Sequence, residues 1–232
     1  MIDVGLLISV VALVAIPVAW SRASDLRVGE DRLTDAALGP LFAGLLSARI
    51  ATLLLDDPSA LRSFKDASVI RGGVDFWPGV AVAALVAVWS AHRARKAPLA
   101  IVAALVPFAL VAYSVFEGTC IVREGCYGPR SPIGFQPAGI QSTMFPVGWV
   151  VAAVVLGAAA VIHRSKWAPE VDIWVGVMAV AWSRAISSFW LPKIGDGLTR
   201  AHQWSLVVSV AGSVVGIGWT VARLRSRTAV QD

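Results

Sequence analysis

Histidine is scarce in this chain, with three residues in 232, and cysteine is scarcer, with two. The cysteines, Cys120 and Cys126, have no histidine or third cysteine nearby, which argues against a metal site. Nor do they form the CxxC pair that redox enzymes more commonly carry. No stretch reads as a soluble domain, and no evident repeat relates the two halves, which weighs against a transporter built from repeated bundles. The opening "MIDVGLLISVV" lacks the basic n-region of a signal peptide. "AWSRASD" places positive charge after the apolar stretch instead, as expected of a retained first span with its N-terminus outside.

What the chain has in abundance is apolar sequence. Hydrophobic residues make up 57% of it, and the mean hydropathy is +0.72. Apolar runs recur at about 4–20, 36–55, 74–91, 98–116, 146–163, 172–191 and 204–222. Each is long enough to cross a hydrocarbon layer of about 30 Å as a helix. In lipid it must be helical, because backbone polar groups find partners only within the segment. The expectation is an all-α polytopic membrane protein, one integral domain over 1–232 with seven spans. Its longest connection, about 117–145, has no helical periodicity, carries Pro129, Pro132 and Pro137, and forms a polar outer loop between the fourth and fifth helices.

Loop charge gives the orientation. With the N-terminus outside, the inner segments (about 21–35, 92–97, 164–169 and the tail from 223) hold 11 Lys/Arg in roughly 40 residues. The outer segments hold 7 in roughly 60, so the C-terminus is expected in the cytoplasm. The net charge of +5 is mostly this bias, which points to an anionic lipid surface and away from nucleic acid. Trp20, Trp89, Trp167, Trp174 and Trp219 fall near inner ends, and Trp77, Trp149, Trp190 and Trp204 near outer ends. Only Trp182 sits mid-span.

Two arginines interrupt apolar runs, Arg49 in "LLSARIATLLL" and Arg184 in "VAWSRAISSFW". A charge at membrane depth is costly and usually marks a function or a buried partner. Counted to the ends of the runs, both lie about seven residues from the outer side, roughly 10 Å deep. Two guanidiniums at one level can clamp a phosphate, and each can instead snorkel or pair with a carboxylate such as Asp56 or Asp75. "RGGVDFWPG", 71–79, brings Arg71, Gly72, Gly73 and Asp75 to the start of the third span. This is either an anion-binding nest or an ordinary glycine turn. "GSVVG", 212–216, reads as helix packing. His92 and His163 lie at inner helix ends, and His202, in "LTRAHQW", is the one outer histidine available as a base.

Taken in order, these segments resemble the prolipoprotein diacylglyceryl transferase family. "GLLSARI", 44–50, is similar to its second-helix segment, usually close to GARL. "RGGVDFWPG" is similar to its GGxxxHGG segment, and "CIVREGCYG", 120–128, to its CFxxGCCYG loop. "AWSRAISSFW" resembles its YxxxRFxxEFFR helix, with Arg184 on the first arginine. "GLTRAHQWSL", 197–206, resembles its closing GQxxSL segment, with Gln203 and Ser205 in register. The resemblance implies a multi-pass enzyme of the bacterial plasma membrane that moves diacylglyceryl from phosphatidylglycerol, or a similar anionic phospholipid, to the cysteine thiol of a lipobox-bearing preprotein. No cofactor or metal is implied. Catalytic candidates are Arg49, Arg184, Glu117 and His202. Substrate-binding candidates are Arg71, Gly72, Gly73, Asp75, Arg123, Gly125, Tyr127, Gly128 and Gln203.

The departures are as specific as the matches. The family histidine falls on Trp77, and the following glycine on Pro78. The arginine three residues before the signature cysteine falls on Glu117. The cysteine pair is reduced to Cys126, the HPxQxYE box to "FPVG", and the EFFR acid and arginine fall on Ser188 and Leu191. Glu117, Arg123 and His202 are the residues that can compensate. Cys120 and Cys126 can pair as a disulfide in an oxidising compartment or remain two free thiols. A relative that binds lipid or a membrane partner without chemistry is the competing reading.

Overall fold

The computed structural model describes residues 4–24, 27–28, 31–56, 58–59, 75–123, 125–137, 139–165, 167–191 and 199–228. Among the described residues the architecture is all-α with seven helices: α1 (Val4–Ala23), α2 (Leu33–Asp56), α3 (Phe76–Arg93), α4 (Pro98–Gly118), α5 (Val147–Arg164), α6 (Pro169–Ser187) and α7 (Arg200–Thr228). Each of the seven apolar runs overlaps one helix, the run at 172–191 continuing past the end of α6. Four stretches are long and apolar enough to cross a membrane, Leu33–Asp56, Pro98–Val122, Val147–Arg164 and Arg200–Thr220. α6 is interrupted by charge, with Glu170 and Asp172 in its first turn and Arg184 in its last. Small β elements lie between helices: β1 (Arg27–Val28) pairs antiparallel with β2 (Asp31–Arg32), and β3 (Arg130–Phe135) bridges to Met144. The stretch 117–145 is therefore more ordered than its composition implies. α4 continues through Gly118, and Thr119–Arg123 winds on as a 3-10 turn.

The chain forms two compact units, Val18–Val106, and Met1–Pro17 with Pro107–Asp232. In the first, α2 and α3 meet along a seam of small residues. Pro40, Gly44, Ala48 and Thr52 recur every four residues on α2 and are buried. On α3, Gly79, Ala87 and Ala91 are buried at multiples of the same spacing. A Cβ on Gly44 would lie 3.0 Å from Gly79 O, and one on Gly79 2.9 Å from Gly44 O. Two glycines thus let the backbones touch, which is how helices associate where the surrounding solvent is itself apolar. The α3 N-terminus is tied down by Asp75 N–H, which donates to Thr52 Oγ1 at 2.8 Å and to Ala48 O at 3.2 Å. At the other end, Arg93 stacks over the Trp89 ring at 4.2 Å.

The second unit is built the same way. α5 buries Val147, Val151, Val155, Ala159 and Ile162 along one stripe. α7 lays Gly212 against Met178 and Gly216 against Trp174 of α6, where a Cβ would meet side-chain atoms at 2.2 and 2.4 Å. The "GSVVG" segment is therefore a packing surface. Two indoles lock it: Trp174 Nε1 donates to Gly212 O at 3.0 Å, and Trp182 Nε1 to Ser213 Oγ at 3.2 Å. That explains the tryptophan placed mid-span. Large apolar side chains face outward on both units, Leu46, Leu54 and Leu85 on one, Val207, Val214 and Ile217 on the other. So many exposed large apolar side chains suit hydrocarbon rather than water.

Candidate functional site

The polar centre of the second unit is built on α4. Tyr113 and Glu117 are four residues apart, so they share one helix face, and both are buried. The Tyr113 hydroxyl donates to Glu117 Oε1 at 2.5 Å and accepts from Arg184 Nη1 at 2.8 Å. Arg184 Nη1 lies 3.6 Å from Glu117 Oε1, and its Cζ stands 5.8 Å from the Tyr113 ring centroid. One positive and one negative charge are thereby held together inside an apolar unit, the arrangement expected of ionisable groups at membrane depth. Arg184 Nε is buried without a hydrogen bond among the described residues.

Arg184 owes its position to the end of α6. The Ser187 and Ser188 hydroxyls bond back to Arg184 O and Ala185 O, and the chain turns at 188–190. The helix ends at Ser187, not at 191, so Arg184 lies three residues from the end of its helix rather than about seven. Arg184 lies in the last turn of α6, where a cation complements the helix dipole, while about two turns of α2 follow Arg49.

Above Glu117 sits the cysteine loop. Cys120 and Cys126 are joined as a disulfide, with Cα atoms 5.7 Å apart, which settles the two states that the spacing left open. The ring is closed by Gly125 N–H to Cys120 O at 3.0 Å and seated on α5 by Gly148 N–H to Cys126 O at 3.2 Å. Gly148 is needed there, because a Cβ would lie 2.7 Å from Glu117 O and 3.2 Å from Cys126 Cβ. Glu117 Oε2 lies 3.8 Å from Cys126 Sγ. In the disulfide this is a contact without a proton. Gly128 N–H donates to Phe145 O at 2.8 Å, and the Tyr127 ring meets Phe135 edge-on at 6.4 Å. Trp149 Nε1 donates to Gly118 O at 3.2 Å, fastening the same turn to α5.

The structure thus brings together Arg184, Glu117, Cys120, Gly125 and Cys126, with Tyr127 and Gly128 following in the same loop. Arg123 belongs to the 3-10 turn, though its side chain lies outside the described residues. His202 and Gln203 occupy the first turn of α7, with His202 Nδ1 2.9 Å from Thr199 Oγ1. Arg49 is half-buried on α2 in the other unit, between the two residues that anchor Asp75 N–H, Ala48 and Thr52. Asp75 is itself buried. Arg71, Gly72 and Gly73 lie outside the described residues. Tyr113 is the member of this buried cluster that sequence reasoning missed. Its signal was the Tyr-to-Glu spacing of four at the end of an apolar helix, legible only once the helix is extended past 116.

No family model matches the chain, and no curated protein matches it.

Proposed function

We propose that the chain is a seven-span membrane protein, N-terminus outside, that handles an anionic phospholipid and transfers its diacylglyceryl group to a thiol. The observation that carries this reading is Arg184, a planar, permanently charged group held by Tyr113 and Glu117 beside the cysteine loop. The five ordered segments that resemble the diacylglyceryl transferase family add to it. In this reading a phosphodiester oxygen exchanges with the Glu117 carboxylate at the guanidinium, a fork suited to phosphate. The released carboxylate takes the proton of the acceptor thiol. The thiolate sulfur attacks the glycerol carbon that bears the phosphate ester, and the carbon–oxygen bond breaks. Glycerol phosphate leaves with the electron pair, its added charge balanced by Arg184.

A second reading is favoured by the Arg184–Glu117 pair itself together with Trp77 in place of the family histidine. A guanidinium that already has its own carboxylate can bind lipid without chemistry. The two are separated with one variant. Under the transfer reading, Arg184→Lys keeps the charge, loses the fork and lowers the transfer rate by about tenfold or more, with the melting temperature close to wild type. Wild-type protein that retains phosphatidylglycerol in native mass spectra, yet leaves a lipobox peptide unmodified, would establish the non-catalytic reading.

A further inference from the structure

We infer that Cys120 and Cys126 form an exchangeable dithiol–disulfide pair, with Cys126 as the attacking thiol, Glu117 as its proton acceptor and Cys120 as the resolving thiol. The substrate class is a disulfide, or in the reverse direction a dithiol, on a protein or small thiol reaching this loop. Three features differentiate the two sulfurs. Cys126 is half-buried, whereas Cys120 is buried to 7% exposure, so an external sulfur meets Cys126 first. Glu117 Oε2 lies 3.8 Å from Cys126 Sγ, within reach of a thiol proton after a small rotation. The Cys126 carbonyl accepts from Gly148 N–H, and a Cβ on Gly148 would lie 3.2 Å from Cys126 Cβ, so the residue sits beside the start of the 18-residue helix α5, the end whose dipole favours an anion. Its backbone adds a fourth feature. Cys126 has φ of +56°, a left-handed conformation costly for a residue with a side chain.

In the dithiol form the Cys126 thiol passes its proton to Glu117 Oε2. The thiolate attacks one sulfur of the substrate disulfide and forms a mixed disulfide. The other substrate sulfur departs as a thiolate and takes up that proton. Cys120 then loses its proton to water and attacks Cys126 Sγ as a thiolate, closing the observed disulfide, and the second substrate sulfur departs as a thiolate and is protonated by water. One enzyme dithiol and one substrate disulfide become one enzyme disulfide and two thiols, with no other oxidant. The spacing departs from CxxC, but the carboxylate, the helix start and the unequal burial supply what the spacing does not. The inference stands apart from lipid transfer and is tested without lipid.

The full-length protein in detergent is reduced with dithiothreitol, desalted and mixed with oxidised glutathione, and adducts are located by peptide mass mapping. In wild type a glutathione adduct forms first on Cys126 and then gives way to the internal disulfide. In Cys120→Ser the Cys126 adduct accumulates. Glu117→Gln slows adduct formation by about tenfold or more, and Glu117→Asp restores part of the rate. A first adduct on Cys120, a disulfide that dithiothreitol leaves intact in the folded protein, or an unchanged rate in Glu117→Gln would each overturn the inference. The order of adducts needs wild-type protein alone, so it decides even if a variant fails to fold.

Discussion

Arg184 and Glu117 face each other at 3.6 Å, too far for a hydrogen bond, and the Tyr113 hydroxyl closes the gap by accepting from one and donating to the other. The tyrosine is therefore a positioning group. It fixes where the guanidinium sits relative to the carboxylate and lets the pair separate without leaving either charge alone.

Replacing Tyr113 with Phe removes both hydrogen bonds and keeps the ring packing. We expect a stability loss of about 1–3 kcal/mol, the usual cost of leaving buried polar groups short of a partner. Reversible unfolding in mixed detergent checks this. A loss below a few tenths would mean that Arg184 and Glu117 do not depend on the bridge.

The α2–α3 seam gives a prediction with a built-in control. A Cβ at Gly79 would lie 2.8 Å from Ala48 Cβ and 2.9 Å from Gly44 O. Gly79→Ala should therefore destabilise by about 1–3 kcal/mol through overpacking. Gly39, also in α2, has nothing within 4 Å of its missing Cβ, and Gly39→Ala should be neutral or stabilise by up to about 1 kcal/mol. Melting temperatures that fall equally in both variants would contradict the seam.

Most of the helical plan was legible because length and apolarity leave a chain few other options in hydrocarbon. The runs at 98–116 and 146–163 match α4 and α5 to within two residues at each end. What was not legible depends on tertiary contact. Gly44 stood out as part of a family-like segment, yet its use is close approach to Gly79, and alanine and glycine are too common in such helices to announce a seam. Glu117 opens the stretch 117–145, whose lack of helical periodicity places it in a loop when the sequence is read alone. The helix runs on because the 3-10 turn and the Trp149–Gly118 hydrogen bond hold its end. Arg184 was found from its cost in an apolar run. Its partner could not be, since α4 and α6 are far apart in sequence.

Orientation can be tested on two exposed positions. Ile133, in β3, is 73% exposed, and Ala94, just after α3, is exposed as well. With both native cysteines in a disulfide, Ile133→Cys should react with a membrane-impermeant maleimide in intact cells, and Ala94→Cys only after lysis. The reverse pattern would invert the proposed topology.

Diacylglyceryl transfer at Arg184, as proposed, can be followed on the acceptor itself. Purified protein is incubated with phosphatidylglycerol and a synthetic lipobox peptide carrying one cysteine, and the peptide mass is followed over time. The account predicts a gain of one diacylglyceryl unit on the cysteine, with release of glycerol phosphate. It also predicts a rate at least about tenfold lower in Arg184→Lys. A peptide mass that stays unchanged, under conditions where the protein is folded and retains the lipid, would contradict it.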